Sequence, residues 1–147
     1  MKKDGIQNIA LLNAISRMGH GDMILIGDVG CPFPRHDMTT CVDLAVTKDI
    51  PKVEDVLKAV LDELVVESYI VSEETKSVNF EHYETFTNII KNYDNKGNAL
   101  SEKTIAHDEM KDLWLNGALN GKEVKTFVRT GEQSPFSYIV LVAGVNF

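Results

Sequence analysis

Cysteine is scarce in this chain. Two residues in 147, Cys31 and Cys41, share no CxxC spacing, so neither a disulfide framework nor a zinc knuckle is indicated. A low count of free cysteine fits a reducing compartment. Long apolar runs are missing too, and nothing approaches the roughly 20 residues of a membrane span. The basic start, Met1-Lys2-Lys3-Asp4-Gly5, lacks the apolar stretch of a secretory signal, and a cytoplasmic location is expected. Positive charge is in deficit, with 15 basic against 22 acidic residues and a formal net charge of -7. Such a surface repels phosphate backbones and anionic membranes, so neither is expected as a partner, while neutral ligands are unconstrained.

Several chemical signatures are also missing. The four histidines, His20, His36, His82 and His107, never stand at i, i+4, and there is no HExxH, so no metal is expected. Ser134 lies in no GxSxG elbow, and Gly19-His20-Gly21 precedes a strand without completing a GxGxxG. No nucleotide cofactor is expected either. Cys31 with His36 would suit a thiol- or metal-dependent hydrolase, but a free cysteine without a local signature reads equally as a packing residue.

What is present alternates. Ile9, Leu11, Leu12, Ile15 and Met18 recur at helical spacing, with Gly19 placed as a helix-ending glycine. Met23 to Ile26 is continuously apolar, as a strand covered on both faces should be. Cys31 to His36 is a proline-punctuated loop, Val42 to Val46 a second strand, and Lys48 to Pro51 its closing turn. Val53, Val56, Leu57, Val60, Leu61 and Leu64 form an amphipathic stripe. Val65 to Val71 is a β-branched strand, Asn79 to Tyr93 a helix, and Asp94 to Asn98 a turn. Ser101 to Ala106 reads as a short edge strand and His107 to Leu115 as a helix with Asp108 and Glu109 in its first turn. Val124 to Arg129 and Tyr138 to Val145 complete the strands. No repeat or composition break divides residues 1–147. The expectation is one α/β domain, a three-layer α/β/α sandwich around a central sheet of about six strands.

The most informative segment runs from Met18 to Gly30. It sets His20 between two glycines, follows with the first strand, and ends on Asp28 beside Val29-Gly30. A glycine-flanked imidazole is sterically open, and a carboxylate at the C-terminal edge of a strand lies where open α/β sheets hold ligands. Together they read as an acid/base pair delivered by one strand, or, with no chemistry, as a helix end followed by a buried strand. His107 and the loop from Ser134 to Tyr138 extend the set, Phe136 and Tyr138 offering aromatic faces to a sugar ring. His82 reads as a surface residue, and Glu67, Glu73 and Glu74 as a solvated face or as spare carboxylates. His36 belongs to a loop that either lines a pocket or crosses the surface.

These residues carry a resemblance to the ribose pyranase and fucose mutarotase family. The resembling segments are Ser16 to Asp22, Gly27 to Pro34, Val42 to Thr47 before Ile50-Pro51, Val66 to Tyr69, Ser72-Glu73-Glu74, Arg129 to Glu132 and Ala143 to Phe147. Their order spans nearly the whole chain. The resemblance implies a cofactor-free isomerase acting on a small neutral monosaccharide, L-fucose or D-ribose, and a decameric ring with sites near subunit boundaries. It places the proton donor at His20 and sugar-binding positions at Asp28, His107 and Phe136-Ser137-Tyr138, with His36 as a further candidate. The triplet departs from the family, which usually has tyrosine first and asparagine third. Branch markers are mixed: His107 and Ser134-Pro135 lean towards ribose, and Gly19 to Asp22, His36 and Glu67-Ser68-Tyr69 towards fucose. The altered triplet keeps open a non-catalytic sugar-binding or transport-accessory protein.

Overall fold

The computed structural model describes residues 1–93, 99–116 and 124–147. The strands are β1 Met23–Gly27, β2 Thr40–Asp43, β3 Val66–Ser72, β4 Ser101–Ile105, β5 Val124–Arg129 and β6 Tyr138–Ala143. They form one sheet in the order β2-β5-β1-β6-β3-β4. All run parallel except β6, which lies antiparallel between β1 and β3. Every residue of β1 and of β6 is buried, because helices cover both faces and no residue on either strand can face water.

Alternate residues of each strand feed two cores. Ile24, Ile26, Val71, Val128, Ile139 and Leu141 meet the helices α1 Ile9–Ser16, α2 Val53–Leu61 and α4 Phe80–Lys91. Leu25, Ile70, Phe127, Tyr138 and Val140 meet α5 His107–Leu115, through Met110, Leu113 and Trp114. This is the expected α/β/α sandwich. The apolar stripe of α2 is buried in full, and its start is held by Asp55, whose carboxylate accepts from the Lys52 N–H at 3.0 Å.

The boundaries moved where side-chain capping competes with periodicity. Ser72 ends β3 and caps a short helix, α3 Glu73–Val78, by accepting from the Thr75 N–H at 3.0 Å. That helix was not expected. β2 begins and ends earlier than its apolar run, because Asp43 turns the chain by accepting from the Ala45 N–H at 3.1 Å. The glycine with a left-handed backbone near His20 is Gly21, at φ +81°, rather than Gly19. The turn expected over Asp94 to Asn98 lies outside the described residues.

Gly131 follows β5 where the chain presses against the turn after β2. A Cβ there would meet the carbonyls of Thr47 and Ile50 and the Ile50 nitrogen inside van der Waals contact. Backbone cannot step aside as a flexible side chain would. Gly131→Ala is expected to destabilise by about 1–3 kcal/mol, measured by denaturant unfolding. Unchanged stability would show that this turn is not fixed.

Candidate active site

The C-terminal edge of the parallel strands gathers the polar side chains. Asp28 follows β1 directly. Its Oδ1 accepts from the Gly30 N–H at 2.9 Å and its Oδ2 from the Ser137 N–H at 3.3 Å. Burial nevertheless outweighs these bonds and raises its carboxyl above the ordinary carboxylate value. The neighbouring Cys31 thiol is buried, and desolvation followed by the Asp28 charge pushes it far above the usual thiol range. A thiol held neutral in this way is a poor nucleophile, which counts against the hydrolase reading.

The antiparallel β6 brings its first residues to this same edge. Phe136, in the left-handed region at φ +54°, sets its ring edge-on to His107 at 5.0 Å. Such a backbone in a non-glycine residue is uncommon, and here Thr75 Oγ1 holds the Phe136 carbonyl at 2.9 Å. His107 opens α5, its N–H donating to Glu74 Oε2 at 2.8 Å. Its Nδ1 is hydrogen-bonded to the Tyr138 hydroxyl, and the two rings lie nearly parallel with centroids 5.7 Å apart. Tyr138 is 1% exposed and Ser137 0%. Within the single chain both side chains lie behind the edge, and Phe136 of the same triplet is half-buried.

His82 corrects an expectation. It is half-buried and its Nδ1 is hydrogen-bonded to Ser137 Oγ, with its ring edge-on to Phe86 at 5.8 Å. The spacing His82, Phe86, Ile90 is one helix face, a signal present in the sequence. His36 stays apart. Its Nδ1 accepts from the Met38 N–H at 3.2 Å, and among the described residues its covered Nε2 has no partner and no hydrogen bond joins it to the cluster.

His20 lies elsewhere. It precedes β1 whereas Asp28 follows it, so about 14 Å of strand, four steps of roughly 3.4 Å, separates them. The pair expected from one strand occupies opposite edges of the sheet. At its own edge His20 Nε2 is 2.9 Å from Glu67 Oε2, and both side chains are open, 59% and 42% exposed. A carboxylate only accepts, so Nε2 carries a proton in this contact. The loop beneath is fixed. Asp22 Oδ2 accepts from the Gly19 N–H at 2.7 Å and from Lys125 at 2.8 Å. Burial opposes its ionisation, but these bonds prevail and hold the carboxyl below its ordinary value. Gly21 donates to the Ala143 carbonyl at 2.8 Å.

A model of the RbsD / FucU transport protein family matches residues 1–146. The chain belongs to that family. A D-ribose pyranase of Staphylococcus epidermidis is 38% identical over the whole of both chains, and one of Clostridium novyi 41% identical over the same span. The structure of Bacillus subtilis RbsD complexed with D-ribose covers both chains fully at 31% identity and a TM-score of 0.82. A fucose mutarotase from Streptococcus pneumoniae, in complex with L-fucose, shares the fold: TM-score 0.71 over 95% of this chain and 94% of that one, at 18% identity. Among the described residues no group of three or more His, Cys, Asp or Glu is placed to hold a metal ion. No helix of those residues is long and apolar enough to cross a membrane.

Proposed function

We propose that this protein is an isomerase that interconverts the cyclic forms of a free aldose, with D-ribose as its substrate. The carrying observation is the convergence of Asp28, His107 and the half-open Phe136 ring on one sheet edge, in a chain 31% identical to a relative described in complex with D-ribose. Mutarotation protonates the ring oxygen and removes the proton of the anomeric hydroxyl. The bond between the anomeric carbon and the ring oxygen breaks, giving the open aldehyde. Reclosure on the other face inverts the anomer, and reclosure through another hydroxyl exchanges pyranose for furanose. His20 supplies and recovers the proton, while Asp28 and His107 hold hydroxyls so that the reacting oxygen meets the imidazole. No cofactor is needed for this chemistry.

Because Asp28 and His20 stand on opposite edges, one sugar touches both only if two copies of the chain form the site. Support for such an assembly comes from exposed apolar side chains on the segments that follow β1, β2 and β3. Phe33, Val46 and Ile50, with Val78 at the end of α3 and Phe80 at the start of α4, are 47–79% exposed, apolar surface that a second copy would cover. We read the assembly as the ring implied by the family, the chain as one domain, and the location as cytoplasmic, in keeping with two free cysteines.

The test is an NMR exchange screen over D-ribose, L-fucose and D-galactose. Accelerated exchange of D-ribose forms above all others is the expected result. Binding without accelerated exchange of any sugar would replace this reading by a non-catalytic sugar-binding protein.

A further inference from the structure

Behind His107 runs a chain of hydroxyl groups whose donors are fixed by counting protons. It ends at the Phe136 carbonyl, which only accepts. Thr75 Oγ1 donates to that carbonyl at 2.9 Å, and its single proton is then spent. Ser72 Oγ, 2.9 Å from Thr75 Oγ1, must therefore be the donor of their bond. With the Ser72 proton spent, the 3.0 Å contact between Tyr138 and Ser72 Oγ is a donation from the phenol. The remaining bond joins the Tyr138 oxygen to His107 Nδ1. Tyr138 has no proton left for it, so His107 Nδ1 carries the hydrogen. All the hydroxyl groups of the series are buried, and burial, the largest influence on Tyr138, raises its phenol and keeps it protonated.

We infer that Tyr138 is a positioning residue that holds His107 as its Nδ1–H tautomer, so that Nε2 offers a lone pair to a hydroxyl of the bound sugar. His107 Nε2 has no hydrogen-bond partner among the described residues, and the residue is only half-buried. The near-parallel stacking of the two rings fixes the imidazole plane as well. A hydroxyl-bearing aldose donates to such an acceptor, whereas the opposite tautomer would present an N–H and ask the sugar for a lone pair. The consequence for sugar binding rests on the function proposed above; the tautomer itself does not.

Two-bond proton–nitrogen correlation spectra of the histidine-labelled, sugar-free protein report the tautomer directly, with His107→Gln to assign the signal. The wild-type pattern is expected to be Nδ1–H. Tyr138→Phe removes the acceptor and is expected to shift His107 towards Nε2–H. Ser72→Ala keeps the phenol but frees its proton, which then points at Nδ1 and is expected to produce the same shift. An Nε2–H pattern in the wild type, or an Nδ1–H pattern unchanged in both variants, overturns the proposal. In a D-ribose titration, Tyr138→Phe is expected to weaken binding about fivefold to tenfold, as loss of one well-made hydrogen bond does. Undiminished binding overturns the sugar-facing role. A wild type that binds no sugar removes the proposed function but leaves the tautomer result to decide the rest.

Discussion

His20→Asn is expected to slow anomer exchange by about 10²–10⁴-fold, the range supplied by a positioned general acid or base. The imidazole is 59% exposed and its partner among the described residues is Glu67, 42% exposed, so the substitution removes little packing and the variant should fold as the wild type does. Saturation-transfer NMR between the anomers measures the rate, and circular dichroism confirms the fold. An unchanged rate would reject His20 as the proton donor. Asp28→Asn should be impaired through a different contact, which allows a sharper experiment. Co-expression of the two variants produces mixed assemblies in which about one site in four joins a native His20 to a native Asp28, if the site is shared between two copies. Activity is then recovered from two inactive proteins. No recovery would mean that a single copy supplies both residues.

The second large effect is on stability. Trp114→Ala is expected to destabilise by about 3–5 kcal/mol. The indole is 1% exposed, its Nε1 donates to the Pro32 carbonyl at 2.9 Å, and its ring leans on Tyr138 with centroids 5.8 Å apart. Truncation opens a cavity under α5 and strands the Pro32 carbonyl, so the proline loop and the back of the sugar edge loosen together. Calorimetry should register a fall in Tm of roughly 10–15 °C for a protein of this size. Trp114→Phe keeps an aromatic ring but removes the N–H donor and part of the buried volume, and should cost about 1–3 kcal/mol. A loss below 1 kcal/mol for the alanine variant would show that α5 repacks around the gap.

Periodicity made the layered architecture legible. The continuous apolar character of Met23 to Ile26 matches a doubly covered strand, and the stripe from Val53 to Leu61 matches a helix facing a core. Capping was harder to read, because Ser72 satisfies a strand by its backbone and a helix by its side chain, and only the second role created α3. The site was legible one residue at a time and misleading as a pair. His20 and Asp28 flank the expected strand Met23 to Ile26, and a strand carries its two flanks to opposite ends, so their separation was already implied by the sequence and only their pairing was misread. His82 was visible as a member of the Phe86 face, but a polar residue on a buried face declares itself only once its partner, Ser137, is in place. The order of protons behind His107 depends on Ser72 and Thr75 at the β3–α3 junction and on Tyr138 of β6, two segments far apart in the chain.

The single antiparallel strand has a consequence for the order in which the molecule can become active. β6 fills the slot between β1 and β3, yet it is the last of the six strands to be synthesised. Until it arrives, the sheet is two separate halves, β2-β5-β1 and β3-β4, each with a bare edge of the kind that invites pairing with other chains. Its first residues then seat Asp28 and His107, while its last residue, Ala143, accepts from Gly21 beside His20 and donates to Asp22. One late insertion thus welds both edges, and a ribosome-bound chain lacking it would have neither a finished sheet nor a catalyst.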